Sequence, residues 1–120
     1  MQNPDKMRLA RQVEDFAVLI YDFTMSFPAE ERFTLTAQLR RAAISIGSNY
    51  FEGCGRKSNR SLASFLYNSV GSANEIEFQL RVARRRHFGD NALYRIVQRE
   101  LITTRRMIYN LIRQLETPPE

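Results

Sequence analysis

The chain has 120 residues, a length typical of one domain, and its content of 43% hydrophobic and 26% charged residues is that of an ordinary globular protein. Its single cysteine, Cys54, excludes an internal disulfide and a zinc site of the usual spacing, and its longest apolar run, residues 17–20, is too short for a membrane span. The net charge is +5, and all the basic residues except Lys6 and Lys57 are arginines. With no signal-peptide pattern at the N-terminus, we expect a cytoplasmic bacterial protein without membrane contact.

The first predicted helix covers about residues 5–25. Asn3 and Pro4 suit the cap and the first turn of a helix. Apolar residues then recur at steps of three or four, which places them on one face: Leu9, Val13, Phe16, Ile20 and Phe23. The charged residues between them indicate a solvated face: Arg8, Arg11, Glu14, Asp15 and Asp22.

The second predicted helix covers residues 28–54. Pro28 suits its first turn, Glu30 and Glu31 suit the positive end of its dipole, and Gly53 and Gly55 suit its end. Its apolar stripe consists of Leu35, Leu39, Ala42, Ile46 and Tyr50.

Two further helices follow, over residues 58–86 and 90–115. Ser58 and Asp90 are candidate caps, and residues 87–89 separate the two helices. The third helix carries small residues near its middle, where a neighbouring helix can approach closely. The core stripes are Leu62, Leu66, Ser69, Ala73, Ile76, Leu80 and Ala83, and then Val97, Leu101, Thr104, Ile108, Leu111 and Leu115.

Four helices of similar length with short connections predict antiparallel neighbours. The fold class is therefore all-α, as an up-down-up-down antiparallel four-helix bundle in one domain over residues 1–120. We expect the most buried residues to include Leu39, Ile46, Leu66, Ala73, Leu80, Leu101 and Ile108.

The second and third predicted helices carry more apolar surface than a four-helix bundle needs. Exposed together, these side chains would form a large apolar patch, which monomers rarely carry. The sequence therefore predicts self-association; the alternative is that wide stripes serve a deeply buried helix pair. The candidate interface residues are Ile44, Phe51, Tyr67, Val70, Phe78 and Val82.

On the second and third predicted helices, a row of polar residues runs beside the apolar stripe. Buried polar groups are costly unless bonded, so we expect a structural network between the helices or between subunits. On this interpretation, Glu75→Ala costs the fold or the assembly about 1–3 kcal/mol. The alternative is a catalytic cluster, but His87 is the only histidine, the Glu-x-x-His pairs of di-iron bundles do not occur, and no enzyme activity, metal or cofactor is expected. The network residues are Arg41, Ser45, Asn49, Glu52, Ser72, Glu75 and Gln79.

The excess of positive charge falls in residues 56–89, which hold seven basic and two acidic residues. Such clusters attract phosphate groups irrespective of nucleotide sequence. The alternatives are ion pairing, or interaction of residues 84–86 with the negative end of their helix. The candidate nucleic-acid-binding residues are Arg56, Lys57 and Arg60 at the start of the third helix, and Arg81, Arg84, Arg85 and Arg86 at its end.

The middle of the chain resembles the signature of the small bacterial four-helix bundle proteins, also called 23S ribosomal RNA intervening-sequence proteins. The matching residues are Gln38-Leu39-Arg40-Arg41-Ala42-Ala43-x-Ser45-Ile46-x-x-Asn49-x-x-Glu52-Gly53-x-x-Arg56, followed by Gly71-Ser72-x-x-Glu75-x-Glu77-x-Gln79-Leu80. The sequence departs from the family pattern at Tyr50-Phe51 and at His87-Phe88.

The resemblance implies a homopentameric ring. It also implies an association with RNA or DNA, because relatives are accessory proteins of diversity-generating retroelements, where a basic ring contacts a reverse transcriptase and nucleic acid. The expected function is that of a non-enzymatic adaptor for nucleic acid or nucleoprotein. The alternatives are a scaffold that binds only protein and an enzyme of unrecognised type.

Overall fold

The computed structural model describes residues 3–118, and four α-helices account for most of them. They are α1 (Pro4–Thr24), α2 (Leu35–Cys54), α3 (Asn59–Arg85) and α4 (Asn91–Glu116). No strand occurs within residues 3–118. The predicted all-α class and four-helix bundle are therefore confirmed.

Three of the four helices, α1, α3 and α4, begin where their capping residues predict. The Asn3 side chain accepts a hydrogen bond from the backbone N–H of Asp5 at 2.8 Å, and Pro4 occupies the first turn of α1. Ser58 and Asp90 accept in the same way at the starts of α3 and α4, at 3.1 and 2.9 Å. Each cap satisfies an N–H group that the helix itself leaves without a partner.

The connection between α1 and α2 differs from the prediction. The second helix was expected to start at Pro28, but residues 29–31 form only a single 3₁₀ turn and α2 begins at Leu35. None of residues 28–34 is buried, and Phe33 is 82% exposed. Since helices in proteins are stabilised mainly by packing, this segment has nothing to hold it in a longer helix.

The connection between α3 and α4 is fixed against the end of α1. His87 and Gly89 adopt positive φ angles of 60° and 84°. A Cβ atom at Gly89 would lie 2.5 Å from a ring carbon of Phe23, so only glycine fits this turn. Phe27 packs on Phe23 with ring centroids 5.2 Å apart and on Phe88 at 5.7 Å. These contacts hold the basic end of α3 in a defined position.

The core consists of the apolar stripes predicted from the sequence. Every stripe residue is buried except Leu115, which is half-buried. The hydroxyl of Ser69 donates to the backbone carbonyl of Ile46 at 2.8 Å, which places the small residues of α3 at a close contact with α2. Tyr50 is fully buried and its phenol donates to the carbonyl of Lys6, joining α2 to the first turns of α1. Burial raises the pKa of the Tyr50 phenol, and Cys54 adds to the shift.

Candidate functional site

A polar groove runs between α2 and α3 on the outer side of the bundle. It has a volume of about 400 Å³. We call it the α2–α3 groove, and it is lined by Gln38, Arg41, Ala42, Ser45, Ser72, Glu75 and Gln79. The antiparallel pairing of α2 and α3 therefore brings five of the seven predicted network residues to one place.

One part of the predicted network closes within the chain. The hydroxyl of Ser72 donates to the hydroxyl of Ser45 at 2.9 Å, across the two helices. The Asn49 amide donates to the carbonyl and the hydroxyl of Ser45, at 2.9 and 3.1 Å. These bonds fix the register of α2 against α3 at the floor of the groove.

The other part of the network stays open. Arg41 and Glu75 are exposed, and within residues 3–118 neither makes an ion pair or a hydrogen bond through its side chain. Gln79 is only 8% exposed, yet its Oε1 atom has no hydrogen-bond partner among these residues. A buried acceptor without a partner is unfavourable by about 1–3 kcal/mol. The expected bonds of Arg41, Glu75 and Gln79 to the facing helix are therefore not formed within one chain.

The two predicted basic clusters lie at opposite ends of the molecule. The 27 residues of α3 separate them by roughly 40 Å, within a molecule 52 Å long. At the first end, Arg56 pairs with Glu52 at 2.7 Å and its guanidinium lies 4.9 Å from the centre of the Phe65 ring. Lys57 and Arg60 beside it are exposed. Glu52 is thus engaged in a pair along α2 and not in the groove.

The second end carries the stronger uncompensated charge. Arg81, Arg84, Arg85 and Arg86 are all exposed, and within residues 3–118 none of them forms an ion pair. The guanidinium of Arg84 lies 4.8 Å from the centre of the Tyr94 ring and donates to the Asn91 side chain at 3.2 Å. The guanidinium of Arg86 lies 5.9 Å from the ring centre of Phe88.

These aromatic partners were not anticipated from the sequence. A ring below a guanidinium holds the arginine in place while its donor groups remain available. The one signal for Tyr94 is its position a turn after the Asp90 cap, which brings it back beside the end of α3. We call the four arginines at this end the α3–α4 arginine cluster.

Most of the candidate interface residues are exposed on the outer faces of α2 and α3. Phe78 is 67% exposed, while Ile44, Phe51 and Tyr67 are each about half exposed. Val82 is half-buried, and Val70 is only 5% exposed because it packs in the core of the bundle. Val70 therefore belongs to the interior of the single chain and not to its surface. The Tyr67 hydroxyl donates to Glu116 at 2.9 Å, and this bond raises the pKa of the phenol.

The outer face of α1 carries a second apolar stripe that the sequence analysis assigned to a solvated face. We call it the α1 seam. Its apolar members are between 41% and 75% exposed. Steps of four and three residues place the seam along one line of the helix: Met7, Arg11, Glu14, Val18, Tyr21 and Met25. Arg11 and Glu14 interrupt the apolar residues on this line, so the sequence shows no continuous apolar stripe there.

Neither a metal-binding cluster nor a membrane-spanning helix occurs within residues 3–118. Within residues 3–118, no three His, Cys, Asp or Glu side chains come together in an arrangement that would hold a metal ion. None of the helices described in that range is both long and apolar enough to cross a membrane.

Comparison with known proteins identifies relatives of the chain. A crystal structure from Bacteroides thetaiotaomicron, of a protein with unknown function from the S23 ribosomal protein family, superposes with a TM-score of 0.77 at 22% identity. The match covers 87% of this chain and 97% of that one, and it supports the fold. No curated protein matches the sequence. The model of the 23S rRNA-intervening sequence protein family matches residues 5–110, and the chain therefore belongs to this family.

Proposed function

We propose that this protein is a non-enzymatic, self-associating adaptor that binds structured RNA or DNA through the α3–α4 arginine cluster. The observation that carries the proposal is that four exposed arginines within two helical turns lack any carboxylate partner in residues 3–118. Unpaired guanidinium groups bind phosphate oxygens in bidentate fashion and release counterions from the nucleic acid. The name of the family, which refers to 23S rRNA, supports nucleic acid as the class of partner.

Self-association strengthens this function because it repeats the cluster. One cluster offers a few phosphate contacts, whereas several copies around a ring offer a continuous basic band. The exposed side chains of α2 and α3, with Phe78 and Phe51 among them, support assembly because monomers rarely expose so much apolar surface. A homopentamer is the form that the family resemblance implies.

The α2–α3 groove supports a non-enzymatic role. Its lining holds one carboxylate, Glu75, and no histidine or cysteine. A general acid–base pair or an activated nucleophile needs at least two such groups within hydrogen-bond reach. The groove is therefore better suited to recognition than to turnover.

The test is a titration of structured RNA and duplex DNA at several salt concentrations. The adaptor should show an affinity that falls steeply with salt, by a slope of about 0.9 for each phosphate contact on duplex DNA. Replacement of Arg84, Arg85 and Arg86 by alanine should flatten that slope. The matched control is the triple alanine variant of Arg56, Lys57 and Arg60, which removes as much charge from the opposite end and should keep most of the slope.

Two outcomes would contradict the proposal. Equal effects of the two triple variants would show that only net charge matters. No binding even at low salt would favour the second candidate function, a scaffold that binds protein alone, for which the exposed apolar residues of α2 and α3 are the supporting observation. A reverse transcriptase is the protein partner that the family resemblance implies, in either function.

A further inference from the structure

We propose that the α1 seam of one copy packs into the α2–α3 groove of the next copy, and that Arg11 and Glu14 supply the partners that Glu75, Gln79 and Arg41 lack. The inference rests on the self-association proposed above. It adds the two surfaces that meet and the residues that join them.

The groove presents three polar groups in need of partners. Arg41 lies four residues before Ser45 and Glu75 three residues after Ser72, so the antiparallel helices place both at the same level, one turn from the Ser45–Ser72 bond. Gln79 lies one turn further along α3, with Oε1 buried and unpaired. The occupant must therefore bring donors to two acceptors and an acceptor to one guanidinium. The groove is neutral overall, which favours an occupant that carries both charges.

The α1 seam carries that combination at its centre. Arg11 and Glu14 are exposed, and neither has an ion pair or a side-chain hydrogen bond within residues 3–118. They lie on successive turns, about 4.5 Å apart along the helix axis, which is comparable with the one-turn step from Glu75 to Gln79. Arg11 can donate to Glu75, and to Gln79 once the Gln79 amide turns its Oε1 atom into the groove, while Glu14 accepts from Arg41.

Both surfaces also carry exposed apolar side chains. On α1, Met7 lies before the charged pair and Val18 after it, and both are more than half exposed. On α3, Tyr67 and Phe78 are exposed on the outer face of the helix, beside the groove residues. Both surfaces thus combine apolar side chains with charged ones, and complementary charges across such an interface fix its register and exclude wrong partners.

Gly71 supports close approach at this face. It lies within α3, is exposed, and a Cβ atom there would have nothing within 4 Å. Glycine inside a helix is less stable than alanine by about 0.5–1 kcal/mol, and no contact within residues 3–118 requires it here. A neighbouring helix that packs against the backbone between Tyr67 and Phe78 would require it.

The contact has a consequence for symmetry. The α1 seam and the α2–α3 groove are different surfaces, so each copy uses one surface towards each neighbour. Such a heterologous interface generates a closed ring when the rotation between copies closes, and an open filament when it does not. A two-fold dimer, in which both copies use the same surface, is not expected.

The test is charge reversal followed by sedimentation velocity over a range of protein concentrations. Arg11→Glu and Glu75→Arg should each raise the dissociation constant of the assembly by about tenfold or more, because each places like charges in contact. The double variant restores opposite charges and should return to within about threefold of the parent chain. The controls are Arg106→Glu and Glu30→Arg, exposed reversals of the same size elsewhere that should leave assembly unchanged.

A variant that leaves the charge unchanged tests the contact even if the charge-reversal variants fail to fold. Gln79→Leu removes the unpaired acceptor, so the single chain should keep or gain stability in urea while assembly weakens. If the parent assembles and these variants assemble equally well, the contact is wrong and self-association stands. If the parent is a monomer at micromolar concentration, the proposed contact and the proposed self-association are both wrong. The salt titration still decides nucleic-acid binding in that case.

Discussion

Two polar clusters on opposite sides of the bundle differ in one respect. On the α1–α4 side, the Gln12 amide donates to the Glu100 carboxylate and to the Thr104 hydroxyl, both at 3.0 Å. The Thr104 hydroxyl in turn donates to the Glu100 carbonyl at 2.7 Å. On the α2–α3 side, the Gln79 amide is more buried than most polar groups and its Oε1 atom has no partner in the described chain.

The difference separates a network that is closed within one chain from a cluster that is partly open within it. Both clusters arise from polar residues in or beside an apolar stripe, and the sequence alone does not distinguish them. The α1–α4 cluster is satisfied within one chain and therefore stabilises the fold by itself. In the α2–α3 groove, Arg41, Glu75 and the Oε1 atom of Gln79 have no partner within residues 3–118, and under the proposed contact their contribution belongs to binding.

The largest effect on stability should come from disrupting the α1–α4 cluster. Gln12→Ala removes the amide that bonds Glu100 and Thr104, and it should lower the free energy of unfolding by about 1–3 kcal/mol. The measurement is urea denaturation followed by circular dichroism. Gln38→Ala in the groove is the matched control and should change stability by less than about 0.5 kcal/mol. Equal losses in the two variants would contradict the comparison.

Much of the fold could be predicted because helical periodicity reports burial directly. Leu39, Ile46, Leu66 and Ile108 were expected in the core, and each is fully buried. The caps at Asn3, Ser58 and Asp90 followed from local hydrogen bonding and were also correct. The start of α2 was wrong because residues 28–34 have helix-forming chemistry but no core to pack on.

The candidate site was less predictable because it depends on which side chains reach each other. The antiparallel register brought Arg41 and Glu75 to one groove, as expected, but spacing could not show that they remain without partners. Val70 lies one helical step from the exposed face, and only the packing of α3 decides that it is buried. The α1 seam was missed because Arg11 and Glu14 interrupt its apolar pattern.

A smaller effect, of opposite sign, should follow from Gly71→Ala. Alanine is the better helix former, and the open space at this position accepts a methyl group, so the single chain should gain about 0.5–1 kcal/mol. Gly53 is the contrasting position, since a Cβ atom there would lie 2.8 Å from the Leu62 side chain. Gly53→Ala should therefore destabilise the chain. Thermal unfolding at low protein concentration measures both, and a loss of stability in Gly71→Ala would contradict an open face.

The pH dependence of stability should also distinguish the α1–α4 cluster from the α2–α3 groove. The hydrogen bond from Gln12 is the main cause that lowers the pKa of Glu100 below its ordinary value of 4.5; partial desolvation opposes it, and Arg99 adds to the lowering. A carboxylate with a lowered pKa stabilises the fold above its ordinary pKa and loses that contribution as the pH falls through the pKa of the folded state. The parent and Gln12→Ala should therefore differ most at neutral pH and converge below pH 4.5. A gap in urea midpoints that stays constant with pH would show that Glu100 is not the group involved.

The smallest effect on the single chain should come from Glu75→Ala. The sequence analysis expected a cost of about 1–3 kcal/mol to the fold or to the assembly. Since Glu75 is exposed and has no partner within residues 3–118, we now expect a change below about 0.5 kcal/mol in the isolated chain and a cost only in the assembly.

Protein concentration separates the effect of Glu75→Ala on the single chain from its effect on the assembly, because only the assembly contributes a stability that rises with concentration. Unfolding curves of the parent and of Glu75→Ala should coincide at the lowest concentration and separate as it increases. The α1–α4 cluster should behave in the opposite way, since the loss of stability in Gln12→Ala is a property of one chain and should not change with concentration. If the Glu75→Ala deficit were already complete at the lowest concentration, Glu75 would serve the fold of the single chain, and the α2–α3 groove would be a structural network like its counterpart on the other side of the bundle.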